Sequence, residues 1–140
     1  MGSIYRVKCT KCKKAENATF GFGFKYQDLC DETMQKMKDG EFGEKYAKII
    51  KDNPDSIINC DSVVFVCKEC NKWFTDIAMN IHKKDIYGYL ELGKMIKKFE
   101  RTCKNCGSKK LIMLAYFDDN IMKCNNCGGK LKETNHIMWD

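Results

Sequence analysis

Residues 103–127 read CKNCGSKKLIMLAYFDDNIMKCNNC, two Cys-x-x-Cys pairs separated by an apolar run and a turn. Cys106 and Cys124 enclose 17 residues. In that interval Lys110 to Phe117 reads as a strand, Asp118-Asp119-Asn120 as a turn and Ile121 to Lys123 as a return strand. Gly107 and Gly128 each follow the second cysteine of a pair, where a tight loop calls for positive φ. The same spacing recurs at Cys9-x-x-Cys12 and Cys67-x-x-Cys70, so eight of the 10 cysteines form four identical pairs.

Two residues between sulfurs let one turn aim both at a single point, with backbone N–H groups available to the thiolates. Two such turns surround a tetrahedral ion, at about 2.3 Å per sulfur for zinc. Four pairs make two complete sites, and the expected cofactor is two structural Zn²⁺ ions. Iron has the same geometric claim on four thiolates and stays open as an alternative. A secreted disulfide scaffold seldom repeats one spacing four times, and no apolar leader follows Met1. A thioredoxin-like reaction needs one reactive pair, not four.

The 17-residue interval lies in the range of one closed site, C-x2-C-x15–20-C-x2-C. The expected second site is therefore Cys103, Cys106, Cys124 and Cys127, which leaves Cys9, Cys12, Cys67 and Cys70 as the first. Interleaved pairings remain open. Spacing of this kind resembles the zinc-ribbon group, in which two cysteine knuckles on facing β-hairpins hold one Zn²⁺. The layout is also similar to small bacterial proteins with an insertion between their first two knuckles. The resemblance implies an α+β chain with two four-cysteine zinc ribbons of short antiparallel hairpins. It implies no activity, because ribbons serve in transcription, translation, enzymes and protein docking alike.

The 54 residues between Cys12 and Cys67 are too many for an unstructured loop. Thr19 to Tyr26 alternates as a strand, with Phe20, Phe22 and Phe24 on one face, read as core rather than as a base-stacking platform. A helix capped by Asp28 groups Leu29, Cys30, Thr33, Met34 and Met37, and Gly40 fits its stop. A second presents Phe42, Tyr46, Ile49 and Ile50 and ends at Asn53-Pro54. Ser62 to Val66 enters the second knuckle as a strand and Trp73 to Ile81 leaves it. The expected division is a ribbon over 1–85 with a helical-hairpin insertion at about 27–53, then a linker and second ribbon over 86–140. Tyr87-Gly88-Tyr89 punctuates the linker, and Leu90 to Phe99 can be helix or strand. Cys30 is expected as a buried small apolar residue, and Cys60 has no neighbour to activate it. His82 and His136 are surplus to sites that already have four thiolates. The tail at Ile137-Met138-Trp139 must cover a ribbon or present an apolar patch.

The formal charge is +6, from 25 Lys+Arg against 19 Asp+Glu. Eight thiolates and two Zn²⁺ would lower it to about +2. What remains is local: Lys11, Lys13 and Lys14 beside the first knuckle, and Lys97, Lys98, Arg101 and Lys104 before and inside the third, are candidate nucleic-acid contacts. The expected role is a protein-interaction or adaptor module, with non-specific nucleic-acid binding as the alternative. Catalysis is not expected. Four thiolates leave a zinc no open position for water, and Asp118-Asp119 is ordinary turn chemistry, although a paired acidic tip occurs in transcript-cleavage ribbons. No apolar run approaches the ~20 residues that span a bilayer, and the expected location is the cytoplasm.

Overall fold

The computed structural model describes residues 2–21, 26–85 and 92–139. The chain is α+β, mostly antiparallel sheet with two helices among the described residues. It divides into two compact units, one of residues 1–23, 61–77 and 100–140, the other of 24–60 and 78–99. The expected boundary near residue 85 therefore gives way to a division in which both units are discontinuous.

In the first unit, β1 (Gly2–Cys9) and β2 (Ala15–Gly21) form a hairpin, and β4 (Ser62–Cys67) and β5 (Trp73–Ile77) form another. A cysteine pair occupies each hairpin's tip. Two later strands complete the pattern. β8 (Leu111–Leu114) runs antiparallel to β4, with Leu111 opposite Cys67. β9 (Leu131–Trp139) runs antiparallel to β1, with Leu131 opposite Cys9. For brevity the two groups of three strands are labelled ribbon A, β2-β1-β9, and ribbon B, β5-β4-β8. They meet where Gly21 pairs with Ser62.

Alternation along β1 decides what faces inward. Val7 and Cys9 are buried and Tyr5 half-buried, while Arg6 and Lys8 are exposed. Val7 joins Ala18, Phe20, Val64, Val66, Trp73, Met122 and Leu131 in one core. Phe20 thus fills the core role expected of it, packing edge-on to Tyr5 at 5.6 Å; Phe22 and Phe24 lie outside the described residues. Trp73 and Asn125 tie the ribbons together. The Trp73 N–H donates to Asn125 Oδ1 at 2.8 Å, and Asn125 Nδ2 donates back to the Trp73 carbonyl at 2.9 Å and to Glu16 Oε2 at 3.0 Å. The Trp73 indole N–H completes the junction at the Lys123 carbonyl, 2.9 Å away.

The return strand expected at Ile121 to Lys123 does not form. Asp118 turns the chain instead: its carbonyl accepts from the N–H groups of Ile121 and Met122, and its Oδ1 from that of Asn120. Met122 is swallowed by the core, and a single bridge, Lys123 to Lys130, is all the sheet pairing there. The apolar tail becomes β9, which leaves Ile137 and Met138 exposed.

The second unit contains α1 (Tyr26–Lys38), α2 (Glu44–Asp52) and a sheet ordered β3 (Ser56–Ile58), β6 (Ile81–Lys84), β7 (Leu92–Lys97). Thr33 and Met37 are buried on α1, and Tyr46 and Ile50 on α2, as their spacing requires. Leu29 departs from the expected apolar face, at 41% exposure. The strand expected to run from Trp73 to Ile81 breaks at Met79, whose φ is +60°. Of the Leu90 to Phe99 segment, Leu92–Lys97 forms strand β7 and Lys98 and Phe99 follow it without regular structure, while Tyr87-Gly88-Tyr89 lies outside the described residues. Cys30 and Cys60 form a disulfide, with Cα atoms 5.6 Å apart, in place of the two unbonded thiols expected. A disulfide depends on how α1 meets the end of β3, which no local sequence pattern states.

Candidate metal centres

All four knuckles repeat one set of bonds. The first cysteine's N–H donates to the carbonyl five residues on, Lys14, Lys72, Ser108 or Gly129, at 2.7–2.9 Å. Its own carbonyl accepts from the residue after the second cysteine, Lys13, Asn71, Gly107 or Gly128. Those four residues all have φ between 62° and 76°. Glycine marks two of the turns; Lys13 and Asn71 adopt the left-handed conformation with side chains, so composition alone could not have flagged them. Within each turn, N–H groups point at the first sulfur: Lys11 and Cys12 at Cys9 (3.3 and 3.4 Å), Glu69 and Cys70 at Cys67 (3.4 and 3.5 Å). Asn105 does the same for Cys103 and Asn126 for Cys124, each at 3.4 Å.

The sulfurs gather into two sets, Cys9/Cys12/Cys124/Cys127 on ribbon A and Cys67/Cys70/Cys103/Cys106 on ribbon B, each with its ligand atoms within 4.8 Å of one another. This corrects the expected grouping of Cys9 and Cys12 with Cys67 and Cys70, and of Cys103 and Cys106 with Cys124 and Cys127. The physical reason lies in the strands. A ribbon joins one knuckle at a hairpin tip to one knuckle that leads into a third strand. Knuckles 103–106 and 124–127 both lead into third strands, and the segment between them has no return strand to make a hairpin.

The donor sets fit a tetrahedral cation. A tetrahedron with 2.3 Å arms has edges of about 3.8 Å. Cys9 and Cys127 stand 3.4 Å apart, Cys12 and Cys124 3.6 Å, Cys67 and Cys106 3.5 Å, and Cys70 and Cys103 3.6 Å. The electrostatics point the same way. The Cys12 N–H brings the Cys9 thiol down to about 6, and the Lys72 N–H does so for Cys70. Cys12 and Cys67 are also lowered, chiefly by the N–H groups of Lys14 and Cys70. Although the Gly129 N–H works to lower it, Cys127 is pushed up to about 11 by its bonding to Cys9, by burial and by the other sulfurs. Cys106 goes up to about 12 against the Ser108 N–H, for the same reasons, with Cys67 foremost. Four sulfurs this close can all be charged only around a cation.

Neither histidine joins a set among the described residues. His136 stacks on Tyr5 with ring centroids 4.1 Å apart, and His82 Nδ1 contacts the Gly93 carbonyl at 3.0 Å.

The candidate nucleic-acid contacts separate. Lys11, Lys13 and Lys14 are exposed around the knuckle of ribbon A. Lys97 and Lys98 belong to the second unit, whereas Arg101 and Lys104 belong to the first. Arg101 is committed internally: its guanidinium lies 4.1 Å from the Phe65 ring centroid, 3.3 Å from Asp76 and 2.8 Å from the Ile77 carbonyl. Lys104 shares Asp76 at 3.4 Å and stands over Phe74. Among the described residues no helix is long and apolar enough to cross a membrane. The chain matches no protein-family model, no curated protein and no solved structure.

Proposed function

We propose that this is a non-catalytic zinc protein, with one structural Zn²⁺ in each four-cysteine set and the two ribbons serving as a binding platform. The observation that carries the reading is the closure of eight cysteines into two four-sulfur sets of tetrahedral dimensions. Four thiolates complete the coordination of zinc and leave no place for a reacting water. The metal's contribution is folding free energy, roughly 10–16 kcal/mol of apparent binding energy per site. Native mass spectrometry of freshly purified protein tests this. Two zinc ions per chain are expected; one, none, or iron overturns it.

Of the two partner classes, nucleic acid has the firmer support. Phe20 and the inward residues of α2, which an adaptor would use for docking, are buried. The exposed apolar residues Tyr116, Ile137 and Met138 support a protein partner. Exposed cations on ribbon A that lack carboxylate partners support a polyanion. A pull-down from the host, with and without nuclease, separates the two: loss of the captured material on nuclease treatment is expected, and persistence of a protein partner favours the adaptor.

A further inference from the structure

We infer that the outer face of ribbon A, together with the rim of its knuckles, binds the backbone of single-stranded nucleic acid; this rests on the binding-platform reading above and gives it a surface.

The sheet supplies the first observation. Arg6 and Lys8 project from β1 on the face away from Tyr5, Val7 and the core, and are exposed. Lys8 stands directly opposite Lys132 of β9. Like charges directly across a strand pair destabilise a sheet, so fold stability gives no reason for this pairing. Ribbon A's two strand carboxylates, Glu16 and Glu133, both pair in register with Val7 and so belong to the opposite face. Glu16 is already engaged by Asn125. The outer face thus carries cations with no acid among them.

The rim continues it. Lys11, Lys13, Lys14 and Lys130 are exposed around the two knuckles. The Lys130 carbonyl accepts from the Thr10 N–H at 2.9 Å, and Lys13 Nζ donates to the Thr10 carbonyl at 3.0 Å, so both lysines are fixed to the end of β1. Among the described residues none of these cations forms an ion pair.

Offsetting a zinc–tetrathiolate charge does not explain the arrangement. Ribbon B holds the same four sulfurs, and there three cations keep acids beside them, Lys110 with Glu69 at 3.0 Å and Arg101 and Lys104 sharing Asp76, while Lys68, Lys72 and Lys109 are exposed without an ion pair among the described residues. What is peculiar to ribbon A is a sheet face with cations on it, Lys8 opposite Lys132; the strands of ribbon B carry no lysine or arginine.

Charge complementarity selects a polyanion, and the neighbours of Arg6 select an unpaired strand. Asn17 and Asn135 flank Arg6 on β2 and β9 and are exposed. Side-chain amides donate and accept, and can meet the Watson–Crick base edges that only an unpaired strand displays. Residues alternating on one strand face repeat about every 7 Å, and neighbouring strands lie about 5 Å apart, so the cations can track successive phosphates.

The test is fluorescence anisotropy of labelled 20-nucleotide oligo-U and oligo-dT with the full zinc-loaded chain, at low and physiological salt. The expected result is binding whose log affinity falls against log salt with a slope of about −3 to −5. Lys8→Gln/Lys130→Gln/Lys132→Gln should weaken it at least tenfold and make the slope shallower by about 2. Lys68→Gln/Lys72→Gln/Lys109→Gln on ribbon B should change it by less than twofold. Zinc stoichiometry and circular dichroism on every variant keep misfolding apart from lost contacts. Absence of binding by folded two-zinc protein at low salt overturns the inference, while the zinc reading is judged by the metal count alone. Equal losses from the two triple variants, or tighter binding to duplex DNA or polyglutamate, overturn it as well.

Discussion

Ribbons A and B have the same plan, a knuckled hairpin plus a third strand led by a second knuckle, and differ in what surrounds the sulfurs. At ribbon B a carboxylate stands beside several cations, and Arg101 is stacked and hydrogen-bonded into place. At ribbon A, Lys8 and Lys132 face one another without an acid. The backbones differ at one telling position. The carbonyl that receives the first cysteine's N–H in each leading knuckle belongs to Ser108 in ribbon B and Gly129 in ribbon A. A Cβ at 129 would stand 2.9 Å from Cys9 Sγ. The scaffold is therefore shared, and ribbon A packs its metal site more closely while leaving its outer surface charged.

The largest expected effect breaks the comparison at the metals. Cys9→Ser/Cys124→Ser removes two ligands from one set and should leave one zinc by native mass spectrometry. Cys9→Ser/Cys67→Ser removes one from each and should leave none tightly held. The reverse outcome would restore the grouping expected from the 17-residue interval. Each lost site forfeits on the order of 10 kcal/mol of folding free energy.

Next comes a change outside both ribbons. Reducing the Cys30–Cys60 disulfide, which closes a separation of 30 residues, should destabilise the second unit by about 3 kcal/mol and leave two zinc ions bound. Hydrogen exchange read separately over α1 and β1 checks it; equal loss of protection in both would mean the ribbons depend on the bridge.

Asn125→Ala removes three hydrogen bonds at the Trp73 junction and should cost about 2–3 kcal/mol, seen as a lower melting temperature with metal content retained. Gly129→Ala should weaken zinc at ribbon A about tenfold in a chelator competition, whereas Ser108→Ala should leave ribbon B's affinity unchanged. Smallest is Lys110→Gln, which opens an exposed pair with Glu69 and should shift stability by under about 1 kcal/mol.

Much of this was legible, and the failures have a common cause. Eight ligands, both helices and the strands entering Cys67 follow from spacing and periodicity, because those signals are local. Pairing among knuckles is not local. Every Cys-x-x-Cys turn offers the same sulfurs, so the choice rests on which strands lie side by side, and β9 reaches β1 across more than a hundred residues. Ile121 to Lys123 misled for a related reason: three residues that can be a strand became a turn because Met122 had a core to enter. The Cys30–Cys60 bridge and the charge contrast between ribbons also depend on long-range neighbours.

Nested connectivity sets an order on the chain's birth. Synthesis proceeds from the amino end, so Cys9 and Cys12 are the first pair to leave the ribosome and must wait for Cys127, made last among the eight. Ribbon B's sulfurs run only from Cys67 to Cys106, so its set is complete in the chain before the last pair of ribbon A is made. A nascent chain therefore carries its earliest thiols without their partners for nearly the whole of translation, and a message cut short between β8 and Cys124 yields a chain with the inner four-cysteine set complete and the outer one lacking half its ligands.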